Sequence, residues 1–148
     1  MVSKNIIKTE KKNKDVLNIN LTEMPLVKDL RGSLTFGEFS KTVPFHVKRY
    51  FIVYDVPNQH IRGEHAHHKC HQFLICLKGN CRIMLDDGNN SKTFKLIEPT
   101  KGLHIAPMIW ATQFEHSKDA VLLVFASDFY DANDYIRDYK EFKKLCTL

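Results

Sequence analysis

Alternation of apolar and polar residues is the dominant pattern along this chain. The segments 16–21 and 45–56 alternate in steps of two, and 33–39 does so in part. Successive side chains of a strand point to opposite faces, so this period predicts strands with one buried face. Further strands are predicted at short intervals, over 72–77, 81–85, 93–97, 103–106 and the strongly apolar segment 120–126.

The short connecting segments between these predicted strands favour an all-β fold. Residues 86–90 read Asp-Asp-Gly-Asn-Asn, which predicts a hairpin turn because these residue types tolerate positive φ. Only the end of the chain changes period. From Asp131 onward, apolar residues recur in steps of three and four and predict an amphipathic helix, with Asn133 or Asp134 as its N-cap. Many short strands and one terminal helix predict a β-sandwich or barrel with the helix packed outside.

Length and composition fit a single globular domain. The chain has 148 residues, 43% of them hydrophobic and 26% charged, which suffices for a core without disulfides. We expect a polar, lysine-rich tail over 1–15 and one domain over 16–148. No apolar run approaches the roughly 20 residues of a membrane span, and the polar start does not resemble a secretory signal. The protein is therefore expected in the cytoplasm, with its four cysteines reduced.

The positive charge does not by itself predict a nucleic-acid partner. The formal net charge is +5. The tail accounts for +3 of it, because five lysines there face only Glu10 and Asp15, and the rest of the chain carries +2. A charge run in a polar terminus is usually solvated. No nucleic-acid-binding motif accompanies it, so neither nucleic acid nor membrane is expected as a partner.

The run Arg62-Gly63-Glu64-His65-Ala66-His67 holds the candidate chemistry. His65 and His67 are two residues apart in a strand-like stretch, so their imidazoles share a face. Such a pair can bind a metal or transfer protons. A metal needs three or four protein ligands, whereas proton transfer needs one base near neutral pKa and a neighbour that orients it.

The segment 63–79 resembles the first motif of the cupin superfamily, a double-sheet jelly roll that usually holds a metal through three His and one Glu. His65 and His67 match the histidine pair, but Gln72 follows where the motif has Glu. The second motif aligns near Pro107, and Thr112 stands where it has its histidine. The resemblance thus implies a cupin jelly roll, a double-stranded β-helix barrel with a short C-terminal helix, that lacks the usual metal ligands.

Among metal-free cupins, this chain resembles two groups of enzymes that act on thymidine-diphosphate (dTDP) sugars. The 3,5-epimerases carry Asp-x-Arg-Gly and Arg-Gly-x-His, which match 29–32 and 62–65. The form Arg-Gly-x-His-Ala-His, the Asp-Asp-Gly turn and the segment 126–137 more closely resemble the sugar-nucleotide 3,4-ketoisomerases. This second likeness extends from about residue 21 to 145. It implies an isomerase that moves the ketone of dTDP-4-keto-6-deoxyglucose from C4 to C3, without metal or redox cofactor, in deoxyamino-sugar nucleotide biosynthesis.

The same resemblance suggests roles for named residues. His65 is expected to be the C3 base, and His67 orients it, donates to the enediolate or returns the proton. Arg31 and Arg62 are expected to bind the diphosphate, with Arg49 as a weaker candidate, because guanidinium binds phosphate in a bidentate way. The alternative for each arginine is a surface ion pair. Further substrate-binding candidates are Gln72 and Tyr50, although for Tyr50 core packing is the favoured explanation.

Three other functions stay open as alternatives to the ketoisomerase, and a homodimer is the expected assembly. The alternatives are a 3,5-epimerase on the same substrate, a non-catalytic sugar-binding cupin, and a metal-dependent oxygenase that would need unconventional ligands such as His68, Cys70, His71 or His104. A homodimer is expected, because an open jelly roll has edge strands that need cover and the family resemblance points the same way. The segment 16–21 is the strand expected to pair with a partner's sheet.

Overall fold

Two antiparallel sheets packed face to face form the body of the protein. The computed structural model describes residues 15–57 and 59–148, so the lysine-rich tail predicted over 1–15 lies outside the described residues except for Asp15. The elements are β1 (Thr22–Glu23), β2 (Leu26–Asp29), β3 (Gly32–Thr35), β4 (Arg49–Tyr54), β5 (Arg62–His67), β6 (Gln72–Lys78), β7 (Cys81–Asp86), β8 (Ser91–Leu96), β9 (Lys101–Ile105), β10 (Trp110–Phe114), β11 (Val121–Ala126), β12 (Tyr135–Ile136) and the helix α1 (Tyr139–Cys146).

The strands divide into two five-stranded sheets. Sheet one has the order β1-β9-β6-β11-β4 and sheet two the order β12-β5-β10-β7-β8. Alternate residues of both sheets fill one core, with Leu74 and Leu122 from sheet one against Ile83 and Leu85 from sheet two, all fully buried or nearly so. We call the faces that meet in this core the inner faces. Their alternation is the source of the period of two in the sequence.

Most predicted strands are present within a few residues of their expected bounds. The predicted turn also forms, because β7 and β8 pair from Cys81↔Leu96 to Asp86↔Ser91. Gly88 adopts φ +96° inside it, and the Asp86 carboxylate accepts from the Gly88 N–H at 2.7 Å. The residue types of this segment therefore predicted the turn correctly.

The strand predicted over 16–21 is wrong. Val16–Asn18 is a 3-10 helix whose N-cap, Asp15, accepts a hydrogen bond from the Leu17 N–H. Val16 is fully buried in the common core, and its N–H donates to Asp87 at 3.0 Å. Local side-chain capping has outcompeted the strand that alternation alone predicted.

The helix predicted from Asp131 onward is also shorter than expected. A 3-10 helix covers Ala132–Asp134, and β12 then pairs with β5. The α-helix begins only after Asp138, whose side chain accepts from the Glu141 N–H as the true N-cap. Asn133 and Asp134 therefore do not cap it. On the outer side of sheet two, Phe142 of α1 packs with Ala66, Trp110 and Ile136.

The sheets do not close into a barrel, and one hairpin stands apart from both. The strands β2 and β3 pair only with each other in a two-stranded sheet. We call this hairpin the arm; its strand residues are exposed or half-buried. No helix among the described residues has the length and hydrophobicity needed to cross a membrane.

Candidate active site

A β-bulge places both predicted histidines on the inner face of sheet two. In the pairing of β5 with β10, His65 lies opposite Ala111, a core residue, while the next partner along, Thr112, lies opposite Gly63. Glu64 is the extra residue, and it has φ +54° beside Gly63 at φ +82°. Residues opposite each other share a face, so the His65 side chain points inward. Bulges are common beside functional sites because they re-aim side chains.

His67 is held by a buried carboxylate. Its Nδ1 lies 3.0 Å from Asp134 Oδ2, and the two side chains are only 6% and 5% exposed. Asp134 also accepts hydrogen bonds from the backbone N–H groups of Lys69, at 2.8 Å, and Cys70, at 3.2 Å. On its other side, His67 Nε2 lies 3.5 Å from the Gln72 amide nitrogen. The orientation of this imidazole is therefore fixed from both ring nitrogens.

His65 has a different partner. Its Nδ1 lies 3.0 Å from the Gly63 carbonyl oxygen, so that nitrogen carries the proton and Nε2 is left as an acceptor. The two imidazoles meet edge to face, with ring centroids 4.9 Å apart and planes at 86°. One imidazole is thus backed by a carboxylate and the other by a carbonyl dipole.

Burial keeps both imidazoles neutral at pH 7. It lowers the pKa of His67 to about 4, helped by His65 and opposed by Asp134. Burial also lowers the pKa of His65, while the Gly63 carbonyl raises it in part and Arg137 lowers it further. A neutral imidazole is the form that can accept a proton from carbon or oxygen.

An aromatic ring and two arginines complete the site. Tyr135 packs against both imidazoles, with ring centroids 4.9 Å from His65 and 4.4 Å from His67. The Arg137 guanidinium lies over the Tyr135 ring at 4.3 Å. Arg49 precedes the inward-facing Phe51 by two residues on β4 and adds to the lowering of the His67 pKa. Two cationic side chains therefore lie near the histidine pair, in addition to the Asp134 carboxylate.

The structure brings together four of the seven site residues predicted from the sequence. His65, His67 and Gln72 are in contact, and Arg49 is close enough to influence His67 electrostatically. Arg49 Nε also donates to the Asp128 carbonyl at 2.9 Å, which anchors it beside the end of β11.

The other three predicted residues lie elsewhere. Arg31 is at the tip of the arm, 90% exposed and paired with Asp29. Tyr50 is 66% exposed on the outer face of β4. Arg62 is exposed at the opposite end of β5 from His67 and faces Gln113 in register. Within one protomer, none of the three has a described contact with the histidine pair.

Three residues of the site were not among the predicted site residues: Asp134, Tyr135 and Arg137. All three lie in the segment 126–137 that resembles the ketoisomerases, and Asp134 was otherwise expected only as a possible helix cap. The sequence offered one usable signal, since a helix that begins after Asp138 as its N-cap leaves 134–136 free for another role. Nothing local in the sequence places Asp134 beside His67, because 67 residues separate them.

One group of metal-binding residue types occurs at the site. His67, Cys70 and Asp134 each offer a donor atom, and these atoms lie within 4.8 Å of one another. However, the Asp134 oxygens already accept three hydrogen bonds. A divalent ion would have to compete with these bonds for the Asp134 oxygens and gain a fourth ligand. His67 and Asp134, with the backbone N–H groups of Lys69 and Cys70, instead form a hydrogen-bonded unit that orients an imidazole.

Comparison with known proteins places this site in a family. Residues 17–147 match the family model described as FdtA: WxcM-like, C-terminal. The chain is 46% identical over 116 residues to the TDP-4-oxo-6-deoxy-alpha-D-glucose-3,4-oxoisomerase of Aneurinibacillus thermoaerophilus, covering 78% of this chain and 84% of that relative. The chain belongs to the FdtA family. The resemblance seen in the sequence motifs to 3,4-ketoisomerases is thereby confirmed.

Solved structures of the same family share the fold of this FdtA-family chain. A 3,4-ketoisomerase from Helicobacter canadensis superposes with a TM-score of 0.84 at 41% identity, covering 88% of this chain and 98% of that one. A second match is a histidine-to-asparagine mutant of the ketoisomerase QdtA from Thermoanaerobacterium thermosaccharolyticum, in complex with TDP-4-keto-6-deoxyglucose. It has a TM-score of 0.85 at 36% identity and covers 89% of this chain and 96% of that one.

Proposed function

We propose that this protein is a sugar-nucleotide 3,4-ketoisomerase that moves the ketone of dTDP-4-keto-6-deoxy-D-glucose from C4 to C3. The observation that carries the proposal is the neutral, inward-facing pair of His65 and His67 in a chain of the FdtA family. Its relatives include a TDP-4-oxo-6-deoxyglucose 3,4-oxoisomerase and a ketoisomerase crystallised with TDP-4-keto-6-deoxyglucose. The product would be a 3-keto sugar suited to amination at C3.

The proposed chemistry is proton transfer through an enediol. The C4 ketone acidifies the C3 proton, and His65 Nε2 removes it while O4 gains a proton. The enediol then collapses: C4 gains a proton, O3 loses one, and the carbonyl is left at C3. Two acid–base groups suffice for these four transfers, each worth roughly 10² to 10⁴ in rate. His67 is the second group, and it exchanges protons with the oxygens or returns one to C4.

The proposed reaction uses no metal and no redox cofactor. The substrate loses and gains the same number of protons, and it is neither oxidised nor reduced overall, so the reaction needs no metal and no external oxidant or reductant. The cationic side chains of Arg49 and Arg137 supply charge stabilisation for an enediolate oxygen or the diphosphate. Gln72, beside His67 Nε2, is proposed to contact the sugar.

The two packed sheets are proposed to be a cupin jelly roll, and the assembly a homodimer. The arm exposes a cluster of large apolar side chains with no described packing partner in the same chain: Leu26, Val27, Leu30 and Leu34, each more than half exposed. The outer face of edge strand β4 exposes Tyr50 and Tyr54 in the same way. Apolar area of this kind is stabilised when a second copy covers it.

The dimer also bears on the remaining predicted residues. Arg31 and Tyr50 reach an active site only if a second protomer brings them to it, so their proposed roles in substrate binding depend on the homodimer. Arg62 keeps its proposed diphosphate role only if the nucleotide extends along β5. Light scattering tests the assembly: a dimer at micromolar concentration is expected, and a monomer would contradict it.

The experiment for the function is incubation with dTDP-4-keto-6-deoxyglucose and carbon NMR of the product. A carbonyl that moves from C4 to C3 supports the proposal. A ketone that stays at C4 with inverted configuration at C3 or C5 would instead indicate a 3,5-epimerase. Binding without turnover would indicate a sugar-binding cupin. The histidine variants extend the test: His65→Asn should lose several orders of magnitude in kcat with binding largely intact, and His67→Asn should lose less if it only assists.

A further inference from the structure

We propose that Asp134 is a positioning residue that holds His67 as its Nδ1–H tautomer, so that Nε2 is the atom that accepts protons from the substrate. This inference deepens the proposed function and rests on it for the role of His67 in turnover. The tautomer itself is a property of the free protein and can be observed without any substrate.

The hydrogen bonds around Asp134 determine the tautomer. An ionised carboxylate only accepts, and two of its contacts are backbone N–H groups, of Lys69 and Cys70, that can only donate. The third contact, His67 Nδ1 at 3.0 Å, must therefore donate as well. With the proton on Nδ1, the neutral ring has a lone pair on Nε2. The Gln72 amide, 3.5 Å from Nε2, matches this assignment because its N–H₂ group can only donate.

The same contacts make the two histidines unequal. Both carry the proton on Nδ1, but His65 donates it to the Gly63 carbonyl, a neutral dipole. His67 donates it to a charged group, which stabilises the imidazolium that forms when Nε2 takes a proton. Asp134 thus offsets part of the cost of charging His67, whose pKa burial lowers to about 4, whereas His65 has no carboxylate partner.

Asp134 is held in place by the 3-10 helix that it ends and by β12, which follows it. It ends the 3-10 helix Ala132–Asp134, and β12 begins at the next residue and pairs with β5, opposite His67 and Ala66. The carboxylate thus approaches His67 from the strand that also packs Tyr135 against both imidazoles. This rigid placement is what a residue that orients a base requires.

The test is Asp134→Asn. Asp134 Oδ2 accepts from both His67 Nδ1 and the Cys70 N–H, whereas Oδ1 accepts from the Lys69 N–H. An asparagine can therefore keep its oxygen toward His67 only by turning its NH₂ group toward the Lys69 N–H, and in the reverse orientation its NH₂ group faces His67 Nδ1 and selects the Nε2–H tautomer. Either orientation removes the charge that stabilises the imidazolium, so we expect kcat on dTDP-4-keto-6-deoxyglucose to fall by roughly 10² to 10⁴ with KM changed little, as in other His–Asp pairs that lose the carboxylate.

Three comparisons separate positioning from a merely structural role. Asp131→Asn is the matched control: Asp131 is exposed and caps the same 3-10 helix through the Asn133 N–H, so we expect kcat within about twofold of wild type. In a His67→Asn background, Asp134→Asn should add less than about twofold, because residues that act as a unit are not additive. Additive losses in the double variant, or equal losses in the two aspartate variants, would overturn the proposal.

Nitrogen NMR of histidine-labelled protein provides the readout that does not depend on activity. The His67 signals, assigned by their absence in His67→Asn, should show protonated Nδ1 and unprotonated Nε2 in the wild type. A wild-type spectrum with protonated Nε2 would overturn the inference even if Asp134→Asn fails to fold. If the wild type shows the expected tautomer but no isomerase activity, the proposed function fails and the positioning of His67 stands.

Discussion

Replacement of Gly63 by alanine tests whether the bulge in β5 positions the site. Gly63 has φ +82°, and a Cβ added there would lie 2.9 Å from the Ala111 carbonyl oxygen on β10. The nearest neighbours are backbone atoms, so they cannot rotate away as a side chain would. The Gly63 carbonyl also holds His65 Nδ1 at 3.0 Å. Any shift of β5 away from β10 therefore moves the base.

The expected loss of stability has two parts. A non-glycine residue with left-handed backbone costs about 1–2 kcal/mol, and a clash that forces backbone shifts costs about 1–3 kcal/mol more. We therefore expect the free energy of unfolding to fall by about 2–5 kcal/mol. Gly32→Ala is the matched control, because Gly32 also has positive φ, +122°, but its Cβ would meet nothing within 4 Å. It should lose only the first part.

Urea unfolding and steady-state kinetics measure the two consequences. Gly63→Ala should be the less stable variant, and its kcat should fall by roughly 10²-fold, the cost of misplacing a reacting group by about 1 Å. Gly32→Ala should keep a kcat near that of the wild type. Equal stability and equal kcat of the two variants would refute the view that close backbone packing at Gly63 positions His65.

Three further predictions follow from the charges of the site. Arg49→Lys should weaken TDP binding in calorimetry, because it loses the guanidinium fork, whereas Arg82→Lys, in a surface pair with Glu115, should not; equal affinities would remove Arg49 from the site. The free energy of unfolding should fall as the pH drops from 6.5 toward 4, because burial lowers the pKa of His67 and of His104 to about 4. In this range the unfolded chain binds more protons than the folded one, and each such proton is worth about 1.4 kcal/mol per pH unit. Equal unfolding free energies at pH 7 and pH 5 would contradict this. Chelator treatment should leave activity and melting temperature unchanged, and activity lost to chelation and restored by zinc would make the histidine pair a metal centre.

The strands were predictable where side-chain alternation and burial agree. The segment of β8 shows this, because its apolar residues Phe94 and Leu96 alternate with polar ones and lie in the common core. The alternation of 16–21 failed because capping by Asp15 and the hydrogen bond from Val16 to Asp87 are not visible in an apolar period. The arm was only partly predicted, since its apolar residues are exposed in the chain by itself.

The site shows the same division between local and distant information. His65 and His67 were predicted as a pair because two residues along a strand decide their common face. The bulge at Glu64 was not predicted, because it depends on the register with β10. Asp134 and Tyr135 come to the site through β12, a two-residue strand with no sequence pattern of its own. Contacts that span 67 residues, such as that of His67 with Asp134, are fixed by topology.

Proton NMR of the reaction in deuterium oxide tests the central claim most directly. The wild-type protein, dTDP-4-keto-6-deoxyglucose and no added metal are incubated together, and the positions of carbonyl and deuterium in the sugar are determined. Proton transfer by the histidine pair predicts a C3 carbonyl with solvent deuterium at C4 and unlabelled C5. A carbonyl that stays at C4 with deuterium at C3 and C5 would contradict the account and identify an epimerase.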